Sequence, residues 1–454
     1  MFVERIASPG LAHWSYYLED AGEALVIDPR LDAGVYVDLA RSRGARIATV
    51  LETHRNEDYL VGSVELAART GAVLFHADGQ LDYTYGTAAA DGQRFGVGGF
   101  ELEALLTPGH TAGHHSYLLR ASDVPWMLFS GDLLFAGDAG RVDLDTSSSP
   151  ADNARALFRS LHERVLPLGD HVIVRPAHGR GSACGSSIAD REHTTLGLER
   201  ALNPLLSMAE DEFVGEMVRR SQAIGRPPYF TLMEDGNRAG HRFDERVALP
   251  RLTAERAEEL ISAGALVLDT RATECYVAAH LPGSLGIPSA MIGAWAGWLV
   301  DAGVRIVLVS EDPDGDRTAL ARIGLGDLAG FLGGGIDAWT TSGRTIATTH
   351  VLDTPGVCHR LDEGAILRVL DVRGRGEVAE LAIEGALNIP LHELPDRLGE
   401  LTEEDPIVIF CGSGRRSAIA AGVLERAGRR VEVVLGGTTG WSSGRCPLRE
   451  VASG

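Results

Sequence analysis

A repeat at one fixed offset constrains this chain more than any other feature. Val267-Leu-Asp-Thr-Arg271 recurs as Val369-Leu-Asp-Val-Arg373, Gly286-Ile-Pro288 as Asn388-Ile-Pro390, and Leu332-Gly-Gly with Trp339 as Leu435-Gly-Gly with Trp441. Asp269 to Asp371, Pro288 to Pro390 and Trp339 to Trp441 are each 102 residues apart. Three landmarks at one spacing imply two copies of one domain of about 100 residues, a normal domain size. Within each copy, short β-branched runs alternate with helical segments. Ile407-Val-Ile-Phe410 reads as a buried strand and Ser417–Arg426 as the helix after it. That is the α/β pattern of a parallel sheet with helices on its faces.

The second copy carries a chemical loop between that strand and helix: Cys411, Gly412, Ser413, Gly414, Arg415, Arg416 and Ser417. Small residues let the backbone curl so that its N–H groups point inward, and the helix that follows adds a positive dipole end. With Arg415 and Arg416 these features stabilise a thiolate or a cysteine persulfide. In the first copy the matching strand Ile306-Val-Leu-Val309 ends in Ser310, and the loop continues through Glu311, Asp312, Asp314 and Asp316. A hydroxyl cannot carry sulfane sulfur, and four acids repel an anionic donor. The first copy is therefore expected to be inactive, a spacer or docking surface.

Residues 1 to about 245 are built differently. Strands are expected at Ala24–Ile27, Ile47–Leu51, Ala72–Phe75 and Trp126–Phe129, and helices at Val35–Arg43 and Leu60–Ala68. Gly236–Pro250 is polar and reads as a linker, while Gly225–Gly240 is a candidate to pack back on the first domain. Histidine and aspartate sit just after several strands, where α/β folds place their sites. Four segments stand out: Thr53-His54-Arg55-Asn56-Glu57-Asp58-Tyr59, Thr107-Pro-Gly-His110-Thr111-Ala-Gly-His114, Ser130-Gly-Asp132, and Pro176-Ala-His178-Gly179.

Composition removes several classes of function. The chain has 454 residues, 44% hydrophobic and 23% charged, which suits a globular protein of several domains. It contains no lysine, so all 42 basic residues are arginine. A P-loop lysine, a Schiff-base lysine and a Ser–Lys dyad are excluded. Arginine, whose planar fork suits oxyanions, is left to neutralise anionic substrates. The formal net charge of -21 argues against a nucleic-acid partner. No apolar run approaches the length of a membrane span, and the N-terminus lacks a signal-peptide pattern. Five dispersed cysteines, Cys184, Cys275, Cys358, Cys411 and Cys446, fit free thiols in a reducing cytoplasm. Cys275, Cys358 and Cys446 carry only structural readings. Nothing in the sequence decides whether the chain forms a homo-oligomer.

The order of the four N-terminal segments, over roughly residues 10 to 200, resembles the metallo-β-lactamase superfamily. The resemblance implies an αββα sandwich followed by two rhodanese-like α/β domains, for the Cys411 loop with Asp371, Arg373 and Trp441 resembles the C-x-x-G-x-R-S loop of rhodaneses. The expected limits are 1–245, 250–348 (inactive) and 352–454 (active). The superfamily's H-x-H-x-D-H pattern here reads His54-x-Asn56-x-Asp58-Tyr59, so two histidines are missing and the resemblance implies a crippled second metal site. His54, His110 and Asp132 survive. The persulfide dioxygenase family uses these positions for one Fe(II), a facial triad with open positions for O₂ and substrate.

Gly140-Arg141-x-Asp143 and Pro176-Ala-His178-Gly-Arg-Gly-Ser182-Ala-Cys184-Gly185 resemble further segments of that family. The resemblance implies Arg141 and Thr111 beside the substrate. It puts Asp58, His178, Asn56 and Tyr59 in the outer shell, and leaves His114 and His115 structural. Cys184 reads either as a small buried residue or as a thiol near the persulfide. The whole order resembles the bacterial multidomain persulfide dioxygenase–sulfurtransferases, which implies small-molecule persulfide, O₂ and thiosulfate or sulfite as reactants. A zinc-dependent thioester hydrolase of glyoxalase II type fused to rhodaneses, and a non-catalytic sulfur carrier or sensor, are the alternatives.

Overall fold

In the computed structural model, the described residues are 1–363, 367–383, 385–401 and 406–443. They divide into two compact units, Met1–Val247 with Thr318–Gly324, and Ala248–Arg317 with Leu325–Gly454.

The first unit is built on two six-stranded sheets. One contains β1 (Phe2–Ala7), β2 (Trp14–Asp20), β3 (Glu23–Ile27), β4 (Arg46–Leu51), β5 (Val73–His76) and β6 (Thr87–Ala88), in sequence order. The other contains β7 (Arg94–Val97), β8 (Phe100–Leu106), β9 (His115–Ala121) and β10 (Val124–Gly131). After a small hairpin, β11 (Leu134–Phe135) and β12 (Asp138–Ala139), come β13 (Ile173–Pro176) and β14 (Thr194–Thr195). The order of this sheet is β14-β13-β10-β9-β8-β7. Strand alternation separates two faces. Tyr16, Leu18, Leu25 and Ile27 meet Leu102, Ala104, Tyr117 and Phe129 between the sheets. Tyr17, Ala24 and Val26 turn the other way and pack with Tyr36, Ala40 and Leu66, from helices Gly34–Arg43 and Ser63–Thr70. Helices Pro150–Arg159 and Glu210–Ile224 cover the outer face of the second sheet through Ala154, Leu157 and Phe213. The result is an αββα sandwich with two apolar layers outside a central one.

The helix expected from Leu60 starts at Ser63, because Val61 N–H donates to Asn237 Oδ1 and Gly62 N–H to the Pro29 carbonyl. The segment read as a linker is partly helix: Phe230–Ala239 is helical and packs Met233 with Leu31 and Leu60. Asp244 and Glu245 pair with Arg69 at 3.3 and 2.5 Å, so polarity here reflects ion pairing with the first unit.

The second unit contains the repeat. The first copy has β15 (Arg251–Leu252), β16 (Leu266–Asp269), β17 (Leu285–Gly286), β18 (Ile306–Val309) and β19 (Leu328–Leu332), ordered β15-β19-β18-β16-β17. The second has β20 (His350–Asp353), β21 (Arg368–Asp371), β22 (Leu387–Asn388), β23 (Ile407–Phe410) and β24 (Val431–Leu435), ordered β20-β24-β23-β21-β22. The two orders are the same, and the strands of each are parallel. Each copy is pinned by its repeated aspartate: Arg271 chelates Asp269 and Arg373 chelates Asp371, each with its closest contact at 2.6 Å. Cys358 is disulfide-bonded, which corrects the expectation of free thiols throughout, since separation in sequence says nothing of proximity in space. Cys184, Cys275 and Cys411 are free, and Cys446 lies outside the described residues.

Candidate active sites

In the first unit, every histidine or aspartate singled out by sequence sits at a strand end, on one edge of the sandwich. His54 follows β4, His110 lies between β8 and β9, Asp132 follows β10 and His178 follows β13. His54, His110, Asp132 and His178 are fully or almost fully buried. Burying that many polar groups is costly unless they share a partner. Nonetheless His54 Nε2, His178 Nε2 and both Asp132 oxygens have no hydrogen-bond partner. His54, Glu57, His110 and Asp132 each offer an atom within 4.8 Å of the others, as do Asp58, His178 and Cys184 in a second group. Their chemistry fits a divalent ion.

The outer nitrogens explain why the inner ones face the cluster. Thr53 Oγ1 donates to Asp28 Oδ2 at 2.7 Å, so it can only accept from His54 Nδ1 at 2.8 Å. His110 Nδ1 donates to the Arg141 carbonyl at 2.9 Å, and His178 Nδ1 to the Ala12 carbonyl at 3.3 Å. With Nδ1 protonated, Nε2 of each ring is left to bind an ion, the usual outer support of metal-bound histidine. Asp132 is set by its backbone: its N–H donates to His114 Nε2 at 3.1 Å. Gly131 holds φ +52, and a Cβ there would sit 2.5 Å from that imidazole and 2.8 Å from Thr53, so only glycine makes this turn. His114 thus works through the Asp132 backbone, while the His115 imidazole bonds the Gly113 carbonyl.

The remaining residues divide by position. Asn56 braces its own loop, donating to the His54 carbonyl at 3.3 Å, and Tyr59 packs on His13 with ring centroids 3.9 Å apart. Asp58 is pushed up to about 6 by burial, with His178 opposing. Burial, then Asp58 and Asp132, pushes the Cys184 thiol well up, and its Sγ lies 3.7 Å from Glu57 Oε1. The guanidinium of Arg141 is engaged internally: twice with Asp143 at 2.7 Å, with the Ala183 carbonyl at 3.1 Å and with the Gly225 carbonyl at 2.7 Å. It ties three loops together around the cluster. Arg55 and Arg226, which share Glu234 at 2.8 and 2.6 Å, line a cavity. That cavity, of about 310 Å³, is also lined by Thr111, Asp78 and Asp145, and Arg55 and Thr111 are sequence neighbours of His54 and His110.

Three contributors escaped the sequence reading. Asp28 orients His54 through Thr53, and its position one residue beyond the apolar β3 run is the same signal that marked the others. Asn237 braces the site loop by donating to the Asn56 and Tyr59 carbonyls at 2.6 and 2.8 Å. Glu57 faces His110, its Oε1 2.7 Å from Nε2.

In the second unit, Cys411 ends β23 and is 1% exposed, whereas Ser413 and Arg415 beside it are exposed. Gly414 N–H donates to Cys411 Sγ at 3.0 Å, at the start of helix Arg415–Arg426. Arg416 is clamped by Glu377, with two contacts at 2.6 Å, and its Nη2 lies near Gly412. In the first copy the corresponding loop is closed by a side chain. Asp316, 3% exposed, accepts from Ser310 Oγ at 2.5 Å and from Thr270 Oγ1.

Residues 8–178 match the model of the metallo-beta-lactamase superfamily, and residues 357–444 that of the rhodanese-like domain. The chain belongs to the metallo-beta-lactamase superfamily and carries a rhodanese-like domain C-terminal to it. Among its relatives is a hydroxyacylglutathione hydrolase of Pseudomonas entomophila, 31% identical over 41% of this chain and 77% of that protein. The mitochondrial persulfide dioxygenase ETHE1 of Bos taurus is 28% identical over 48% of this chain and 80% of that protein. Among solved structures, a metallo-beta-lactamase from Staphylococcus aureus is 28% identical with a TM-score of 0.65, over 73% of this chain and 98% of that one. Among the described residues no helix is long and apolar enough to cross a membrane.

Proposed function

We propose that the chain oxidises low-molecular-weight persulfides to sulfite at one Fe(II) in the first unit, and transfers sulfane sulfur through Cys411 in the second. The overall reaction at the first site is RSSH + O₂ + H₂O → RSH + SO₃²⁻ + 2H⁺. One observation carries the reading: the unpartnered His54 Nε2 and Asp132 oxygens share one buried cluster with His110 Nε2, while Asn56 and Tyr59 stand where a two-metal hydrolase has imidazoles. The ion, when bound, supplies positions at which O₂ and a sulfur anion meet and exchange electrons. The chain does the rest. Thr53 with Asp28, and the Arg141 carbonyl, keep two rings in the binding tautomer. Burial excludes water from the cluster. Arg55, Arg226 and Thr111 line the approach, where a carboxylate of the carrier thiol would displace Glu234 from the arginines.

At the second site, the Cys411 thiolate attacks the outer sulfur of thiosulfate. The S–S bond of thiosulfate breaks, a cysteine persulfide forms and sulfite leaves. Run backwards, the same exchange joins sulfane sulfur to sulfite. Gly414 N–H and the helix start hold the anionic sulfur in both directions. The first copy is an inactive rhodanese-like domain, within limits of 250–348. The dioxygenase domain spans 1–245 and the active rhodanese 352–454. Iron and zinc content, measured beside O₂ uptake with glutathione persulfide, tests this reading. One iron with persulfide-dependent uptake supports it.

A second reading has its own support. Asp58, His178 and Cys184 form a second possible ligand group, and the hydroxyacylglutathione hydrolase relative is the more identical of the two. Two zinc ions per chain, with hydrolysis of a glutathione thioester and no O₂ uptake, would establish it instead.

A further inference from the structure

The dioxygenase reading draws on three ligands, but the same cluster holds a fourth donor. Glu57 is 0% exposed, its Oε1 lies 2.7 Å from His110 Nε2, and its Oε2 has no partner. We propose that Glu57 is a fourth metal-binding side chain, giving the site two imidazoles and two carboxylates. The inference rests on the cluster being a metal site.

The geometry argues it in two steps. Among the described residues Glu57 Oε1 meets two donors, the Nε2 side of His110 at 2.7 Å and, more weakly, the Cys184 thiol at 3.7 Å. An ion bound by His110 takes that nitrogen's lone pair, so the hydrogen bond to Glu57 is lost. A buried carboxylate then needs another cation. The nearby arginines are committed, Arg55 to Glu234 and Arg141 to Asp143. The ion itself is what remains, and one divalent charge neutralises Asp132 and Glu57 together. Glu57 also lies in the loop segment that lacks two of the superfamily's imidazoles, so an oxygen donor enters where nitrogen donors were lost. Carboxylate-rich sets suit Mn(II) and Fe(II) more than imidazole-rich ones, which moves the site's preference away from Zn(II).

The test is Co(II) binding by the metal-stripped full chain, with affinity read by chelator competition and coordination by visible absorption. Glu57→Ala should weaken binding at least tenfold, the low end of what losing even an outer-shell partner costs, and should change the absorption bands. Glu57→Gln, which keeps the shape and a neutral oxygen, should fall between, and it carries the same readouts if the alanine variant does not fold. Unchanged affinity and spectrum in both variants would overturn the proposal. So would tighter binding, the result expected if Glu57 merely blocks His110. If the unmutated chain takes up no Co(II), the metal-site reading itself falls and this inference with it. Persistence of Co(II) binding without any Glu57 effect leaves that reading standing and removes only this one.

Discussion

Ser310 donates its hydroxyl to Asp316 across 2.5 Å, in the loop where the other copy places Cys411. The carboxylate fills the cradle in which the second copy would hold an anionic sulfur. Ser310→Ala should therefore leave thiosulfate:cyanide sulfurtransfer unchanged. Ser310→Cys in a chain that also carries Cys411→Ser should stay inactive, because Asp316 still occupies and repels. Activity from that double variant would show that the nucleophile alone was missing.

Cys411 and the candidate metal cluster lie in separate units. Cys411→Ser should keep persulfide-dependent O₂ uptake and lose sulfurtransfer, since serine is no thiolate at neutral pH. The product should shift from thiosulfate to sulfite. Assaying both anions beside oxygen distinguishes this from the alternative that Cys184 moves sulfur: thiosulfate would then accumulate as before.

His110→Ala removes one ligand and the hydrogen bond that fixes the Arg141 carbonyl. Iron content should drop from about one per chain to near zero, with O₂ uptake lost. An alanine variant with full iron would show that the ligand set is wrong.

Metal uptake should depend on pH through the same residue. Burial works against the His110 imidazolium, but Glu57 and then Asp132 outweigh it and raise His110 to about 9. At pH 7 the metal-free site thus carries a proton that must leave before Nε2 can ligate. Affinity should rise with pH, by up to about tenfold per unit, and flatten above about 9. Calorimetry in two buffers of different ionisation enthalpy should show about one proton released per ion at pH 7. A pH-independent affinity would contradict this.

The two copies touch through the helix that begins beside Cys411. A Cβ on Gly422 would lie 2.8 Å from the Tyr276 hydroxyl, and Glu425 meets His280 and Thr349 at 3.3 and 2.9 Å. Gly422→Leu should overpack this contact, costing about 1–3 kcal/mol, and should reduce sulfurtransfer while metal content stays constant. Thermal unfolding and a metal assay on one preparation check both halves.

What was legible in the sequence was whatever short range encodes. The apolar runs at Ala24–Ile27 and Ile47–Leu51 became β3 and β4, and His54, His110 and Asp132 followed their strands into one cluster. The 102-residue offset carried through to two sheets of one strand order. Glu57 was not legible, because a carboxylate destined for burial looks the same in sequence as a solvated one. Arg141 shows the converse. Its place in a segment suggested a substrate contact, but besides its neighbour Asp143 two carbonyls from distant loops, Ala183 and Gly225, engage its guanidinium, and no local pattern reports those. The polar stretch from Gly236 is a linker only in its later part, where the unit boundary falls at Val247/Ala248, because at its start Asn237 satisfies backbone groups 176 to 181 residues away.

That asparagine bears on where the first unit can be cut. Its amide closes three backbone valences in the loop running from His54 to Val61, so the loop's shape is supplied by a helix far beyond the superfamily match, which ends at residue 178. A fragment trimmed to that match would retain His54, Glu57, His110 and Asp132 and lose the splint that holds them in register. Transplanting this first unit onto another partner therefore requires carrying the chain through Ala239 at least, and Asn237→Ala is the mildest way to ask how much of a bound ion's grip would be built at that distance.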